Sequence, residues 1–497
     1  MLHYIDLTKV WTLLEFDKYN PLGFSSSLFL FLFFGLLLLV TVINNNRAKV
    51  YILIAFSLYF FYKSSGTALY VLVISAVLNY GIGYLLYGAG RESLKKVYLW
   101  GGILANLGAL GYYKYTNFFL ETMSSFRGGT FEAIDIIMPL GISFFTFKAL
   151  SYLFDIYYET YTPSKNFGDF FLYMVYFGNI AAGPIDRAPA FIEQIRENRI
   201  TNEDISRGVF LIMSGLIKKN IIADYIGLNY VDRIFDDPLR YTGVENLIGV
   251  YGYALQIYCD FSGYTDMALG ISLLLGFKLM ENFNYPYKAK SVAEFWRRWH
   301  MSLSSWLLEY LFTPMQMGMR RMKMMGNALA LLITFTICGL WHGPSWNFVI
   351  WGGLHGFFMV FGLITSKPRA ALLAKLKLTD TKIAGFLKTI ITFHFVAFAW
   401  IFFRAKDFKI IEDMYGQIVN FFKPGVFPQF IQSYQMITAM MVIGYLFHFL
   451  PEKVSESGYK LVEKSPLLVK SAMLAFMIWF AWQFMAADLQ PFIYFQF

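Results

Sequence analysis

The chain has 497 residues, of which 57% are hydrophobic, 20% aromatic and only 15% charged, against about 25% charged in ordinary soluble domains. This excludes a conventional soluble enzyme and indicates a polytopic membrane protein, because runs of about 20 apolar residues, each able to cross a bilayer core, recur along the chain. The net charge of +9 does not indicate nucleic acid: Lys and Arg cluster in short segments between apolar runs, as the positive-inside rule predicts.

Residues 1–23 carry Asp6, Glu15 and Asp17 rather than a basic stretch followed by a short apolar core, so no cleavable signal is expected. The first apolar run, from Phe24 to Ile43, is expected to remain as a spanning helix. Further runs fall near 50–63, 68–88, 97–120, 136–158, 168–185, 206–226, 245–276, 328–341, 345–366, 385–403, 434–450 and 468–487. They predict an all-α polytopic membrane protein of about 11–13 embedded helices, some broken or re-entrant. No fixed-period repeat or long linker divides it, so residues 1–497 are expected to form a single integral membrane domain. The early loops "NNNRAK" (44–49) and "GRESLKK" (90–96) are basic, while "KSSG" (63–66) and "ETMSSFRGGTFEAID" (121–135) carry little or no excess positive charge. This bias predicts an N-terminus outside the cell.

Gly and Pro interrupt three apolar stretches: Pro139 and Gly141 near the start of 136–158, Gly183-Pro184 in "YFGNIAAGPIDR" (176–187), and "GLWHGPSWNFVIWGGLHG" (339–356). Non-helical backbone at membrane depth is tolerated only where protein buries it or it lines a cavity. A central cavity is therefore expected.

Ionisable residues inside apolar runs are costly and mark candidate sites. In chain order, the first group is Lys148, Ser151 and Asp155, on one helix face, where a self-satisfied Lys148–Asp155 pair is expected. The second is "QIYCDFSGYTDMALG" (256–270), with Asp260 and Asp266 free to orient a histidine or to pair with Arg297 or Lys148. The third is "AEFWRRWHMSLSSWLLEYLF" (293–312), where Phe295, Trp299, Leu303, Trp306 and Tyr310 recur at helical spacing and predict a continuous amphipathic helix at the membrane surface. Arg297 and Arg298 are either interfacial anchors or a grip on phosphates, and they are expected to keep the neighbouring His300 neutral. The fourth is His342. Pro344 disfavours helix at Gly343 and suits the start of a new helix, which leaves His342 on broken backbone lining the cavity. Trp341 is a tunnel-lining candidate beside it. His355, thirteen residues on, is expected to hold helices together.

Other chemistries are poorly supported. No HExxH, GxSxG, Walker or GxGxxG pattern occurs, and no histidine pair at i, i+4 suggests a metal. His3, His394 and His448 lack polar neighbours in the sequence. Cys259 and Cys338 read as small buried apolar residues, and "MQMGMRRMKMM" (315–325) as a flexible basic loop.

"EFWRRWHMSLSSWL", followed 42 residues after His300 by the histidine of "GLWHG", resembles the membrane-bound O-acyltransferase (MBOAT) family. "MPLGISFFTF", "GPIDR", "YCDFSGYTDMALG" and "FAWIFFRAKDF" are similar to its bacterial branch of alginate O-acetylation membrane proteins. The resemblance spans 135–410, the motif-bearing core. It implies a multi-helix bundle around a central tunnel, with the family's invariant histidine at His342 and its second motif histidine at His300. It also implies an acyl-CoA donor, acetyl-CoA, entering from the cytoplasm as substrate, with no tightly bound cofactor. A polysaccharide acceptor and a periplasmic or extracellular acetyltransferase partner follow from the same likeness, as does a bacterial plasma membrane location. D-alanyl transfer from a carrier-protein thioester is the alternative within the family. A transporter or flippase, or a non-catalytic scaffold, are the alternatives outside it.

Overall fold

The computed structural model describes residues 13–17, 21–197 and 199–484. Their regular structure is helical. Among the described residues there is no strand, only an isolated antiparallel bridge between Phe283 and Trp299. Asp6 and His3 lie outside the described residues. The chain divides into two compact units. One holds the described residues up to Gly208 with Ala268–Met280; the other holds Val209–Met267 and the described residues from Glu281 on.

The first unit contains α1 (Ser27–Val42), α2 (Asn46–Ser65), α3 (Leu69–Gly88), α4 (Glu92–Leu110), α5 (Ile142–Tyr157) and α6 (Phe167–Val175). The Asn45 side chain caps α2 by accepting from the amides of Arg47 and Ala48, satisfying donors that a helix start leaves open. Asn79 and Asn106 exchange side-chain hydrogen bonds of 3.0 and 2.7 Å between α3 and α4, the kind of polar link that joins helices in lipid. Gly141 begins α5 with φ +65°, and a Cβ there would strike the Ile180 carbonyl, so this position requires glycine.

Lys148 on α5 is fully buried. Its ammonium donates to the Tyr173 carbonyl and, at 3.0 Å, to Asn179 Oδ1. Asn179 Nδ2 donates in turn to Asp186 Oδ2, 2.9 Å away, and Asp186 Oδ1 accepts from the Met280 amide. The expected pairing within α5 is thus replaced by a relay to the broken 176–187 stretch. That irregular backbone brings polar groups inward, and the buried cation takes them.

The second unit is built around α7 (Asn202–Leu216) from Val209 on, α8 (Gly243–Leu274) as far as Met267, the short helices α9 (Val292–Trp296) and α10 (Met301–Leu307), then α11 (Lys323–His342), α12 (Trp346–Ile364) and α13 (Lys382–Arg404). Within it α11 and α12 form a tight hairpin. A Cβ on Gly339 would strike the Phe348 carbonyl, and one on Gly352 the Phe335 carbonyl. These glycines let two membrane helices approach at backbone distance. The helix after the break starts at Trp346, capped by Ser345, whose hydroxyl accepts from the Asn347 amide. Pro344 lies outside it. The Met-rich 315–325 segment is not a loop: it forms two short helical turns, Thr313–Gly318 and Arg320–Met322, and then enters α11.

Among the described residues, four helical segments are long and apolar enough to cross a membrane: Asn46–Gly88, Arg320–His342, Trp346–Ile364 and Lys382–Arg404. A bent pair, Pro424–Ser433 with Gln435–Phe449 at 99°, makes up to five. The protein is a multi-pass membrane protein. Apolar side chains exposed on these helices, among them Tyr70, Ile74, Phe357 and Phe386, are at home against acyl chains.

Candidate active site

His342 does not sit on broken backbone as expected: it is the last residue of α11, the break begins at Gly343, and the ring is only 2% exposed. Its Nδ1 lies 2.7 Å from the Cys338 carbonyl, one turn back. A carbonyl only accepts, so the hydrogen is assigned to Nδ1 and the basic lone pair to Nε2. The ring is enclosed by aromatics, with centroids at 4.9 Å for Trp341, 4.8 Å for Trp351 and 5.6 Å for Phe403. A neutral imidazole in such a setting can accept a proton at Nε2.

His300 is 0% exposed and belongs to no helix. The expected continuous helix over 293–312 is interrupted: α9 ends at Trp296, and His300 adopts left-handed backbone at φ 43°, ψ 54° before α10 begins. Such a conformation costs of order 1–3 kcal/mol and persists only where the surroundings enforce it. Here they do. The Asn284 amide donates to the Arg298 carbonyl and the Met301 amide to the Asn282 carbonyl, both at 2.9 Å, flanking the Phe283–Trp299 bridge. These tertiary bonds take the backbone groups that a helix would use, and they override the apolar periodicity.

Asn282, which no sequence pattern singles out, is fully buried beneath this turn. Its Oδ1 meets His300 Nδ1 at 3.2 Å and accepts from the Ser302 amide at 3.2 Å and the Ser302 hydroxyl at 2.6 Å. The Ser302 amide is an unambiguous donor, so it fixes the orientation of the Asn282 amide and makes His300 Nδ1 the donor. Asn282 Nδ2 is buried with no hydrogen-bond partner, a cost of about 1–3 kcal/mol. Phe261 of α8 meets the His300 ring edge to face at 4.8 Å.

The two histidines share a neighbour. The Trp341 ring is 6.2 Å from His300 and 4.9 Å from His342, centroid to centroid. Burial first, and then the His342 imidazole, hold the His300 pKa well below the usual histidine value. The adjacent arginines are not the cause: Arg297 is exposed, and Arg298 pairs with Glu294 at 3.0 Å.

The remaining candidates are placed elsewhere in this unit. Asp260 pairs with Lys219 at 2.6 Å, and Lys219 also pairs with Asp224 at 2.6 Å. Asp266 pairs with Lys218 at 2.7 Å and accepts from Ser214 Oγ at 2.8 Å. The partners of the two acids are therefore consecutive lysines in the π-helical segment Ile217–Ala223, not Arg297 or Lys148. His355 accepts from Trp296 Nε1 at 3.2 Å and so ties α12 to α9. His394 and His448 do have polar partners, Tyr251 Oη and the Tyr287 amide; both arrive from distant sequence.

A multi-pass helical protein with two buried, tautomer-fixed histidines around one tryptophan is suited to proton transfer in a dry interior. Comparison with known proteins gives that chemistry a class. The membrane-bound O-acyltransferase family matches residues 163–403. The chain is 34% identical over 406 residues to a Pseudomonas aeruginosa protein named as a probable alginate O-acetylase, covering 80% of this chain and 75% of that one. It is 34% identical over 399 residues to a Helicobacter pylori peptidoglycan O-acetyltransferase, covering 74% of each. A Bacillus subtilis teichoic acid D-alanyltransferase is 30% identical over 285 residues, covering 55% of this chain and 70% of the relative. The chain belongs to the membrane-bound O-acyltransferase family, and it is an acyltransferase.

Proposed function

We propose that this protein takes acetyl groups from cytoplasmic acetyl-CoA for O-acetylation of a cell-surface or exported polysaccharide, with His342 as general base. The reading rests above all on the 2.7 Å bond from His342 Nδ1 to the Cys338 carbonyl, which leaves Nε2 as the basic nitrogen. Nε2 accepts the proton of an attacking hydroxyl as its oxygen bonds to the thioester carbonyl carbon. The carbon–sulfur bond then breaks, and the imidazolium returns the proton to the thiolate. His300, across Trp341, positions the acyl group or assists the proton. The aromatic surroundings exclude water, which limits hydrolysis of the thioester. Exposed Arg297, with Lys290, is the candidate grip on the donor's phosphates; Arg298 is already engaged by Glu294.

The setting proposed is a bacterial plasma membrane, with the N-terminus outside and loops 44–49 and 90–96 in the cytoplasm. The acyl group would cross through a central tunnel to a periplasmic or extracellular acetyltransferase partner. O-acetylation is favoured because the O-acetylating relatives align over 74–80% of this chain. D-alanyl transfer from a carrier-protein thioester is the second reading, supported by the relative aligned over 55%. The transporter and scaffold readings are set aside by the family.

The test is release of CoA and transfer of label from radiolabelled acetyl-CoA by the purified protein in nanodiscs, wild type beside His342→Ala. General-base action is typically worth about 10²–10⁴-fold, and a loss of that size in a folded variant is expected. Equal rates would sink the proposed role. A wild type inactive with acetyl-CoA but active with a D-alanyl carrier thioester would select the second reading.

A further inference from the structure

We propose that Asn282 is a positioning residue for His300: its side-chain oxygen holds the imidazole hydrogen on Nδ1, presents Nε2 as the basic nitrogen, and clamps the left-handed turn that carries the ring. Three donors converge on that one oxygen, from His300 Nδ1, the Ser302 amide and the Ser302 hydroxyl. The Asn282 backbone carbonyl accepts a fourth, from the Met301 amide. A single residue thus engages positions 300, 301 and 302 in turn. Its Nδ2 has no hydrogen-bond partner, so its side-chain hydrogen bonding is directed wholly to the His300 side. A side chain kept only for core packing would be replaceable by an apolar one of similar size, with no donor left unsatisfied. An imidazole's tautomer is set by the bond its other nitrogen makes, and here that bond is to Asn282.

The inference deepens the proposed function, resting on it only for the expected loss of activity; the tautomer itself is read without turnover. The protein is labelled with 15N-histidine, reconstituted in nanodiscs, and the His300 resonances are assigned by their absence in His300→Gln. Wild-type His300 is expected to show a protonated Nδ1 and an unprotonated Nε2. Asn282→Asp keeps an acceptor in the same place and should keep that tautomer, whereas Asn282→Ala should shift it toward Nε2–H. CoA release from acetyl-CoA should fall by about 10²-fold in Asn282→Ala, and less in Asn282→Asp. An Nε2–H tautomer in the wild type, or an unchanged tautomer in Asn282→Ala, would overturn the inference. If Asn282→Ala does not fold, the wild type and Asn282→Asp spectra still decide it. A shifted tautomer with undiminished turnover would uphold the positioning and remove His300 from the chemistry.

Discussion

His342 ends a 20-residue helix and donates to a carbonyl four residues back on that same helix, whereas His300 sits at a left-handed turn and meets a side chain eighteen residues earlier in the chain. The first arrangement is local. Any histidine at that place on a helix has the same carbonyl within reach, whatever residue supplies it. The second is tertiary, and exists only because residues 282–284 lie against 298–302. Two rings with the same tautomer therefore differ in what can disturb them: main-chain geometry for one, a single amide side chain for the other.

The largest effect that separates the two is on turnover. His342→Ala should lower acetyl-CoA turnover by about 10²–10⁴-fold in a variant that still folds in nanodiscs, with the loss of thermal stability confined to the cavity left among Trp341, Trp351 and Phe403. A variant that lost activity only by unfolding would break the distinction between a chemical and a structural histidine. Lys219→Met should do the reverse. It leaves Asp260 and Asp224 without their shared cation in a buried setting, and breaking a buried pair costs about 3–5 kcal/mol. A strongly lowered melting temperature is expected, partly restored by adding Asp260→Asn. Normal stability in Lys219→Met would show that the acids are not held by that pair. Arg298→Ala should be far milder. Its partner Glu294 is partly exposed, and such pairs contribute about 0–1 kcal/mol, so a shift of more than a few degrees in melting temperature would contradict the pairing as described.

The same contrast explains what could be read from residue order. The helical class and the breaks at Gly141 and at Gly343-Pro344 follow from local features: apolar run length and the backbone demands of Gly and Pro. What escaped was set by distant chain. Helical periodicity runs unbroken from Phe295 to Tyr310, yet the Phe283–Trp299 bridge opens it at His300. Asp260 and Asp266 stood out as polar residues in an apolar run, but Lys218 and Lys219 sat inside a neighbouring run and gave no sign of facing them. Asn282 lies between Glu281 and Phe283 in "MENFNYPY", and nothing in that pattern sets it apart; only its burial does.

The smallest effect is the most discriminating between the two histidines. Cys338 supplies the partner of His342 through its main chain, and its buried sulfur lies 3.9 Å from His342 Nδ1, too far for a strong bond from a weak acceptor. Cys338→Ala removes the sulfur and leaves the carbonyl. It should lose about 1 kcal/mol of packing from a small cavity and change turnover by no more than about threefold, while Asn282→Ala changes it by about 10²-fold. The 15N spectrum of His342 should likewise keep its Nδ1–H signature in Cys338→Ala. If Cys338→Ala instead moved that signature or cut turnover as deeply as Asn282→Ala, the sulfur rather than the carbonyl would be setting the His342 ring. Both histidines would then depend on a side chain, and the difference between a locally and a distantly held base would disappear.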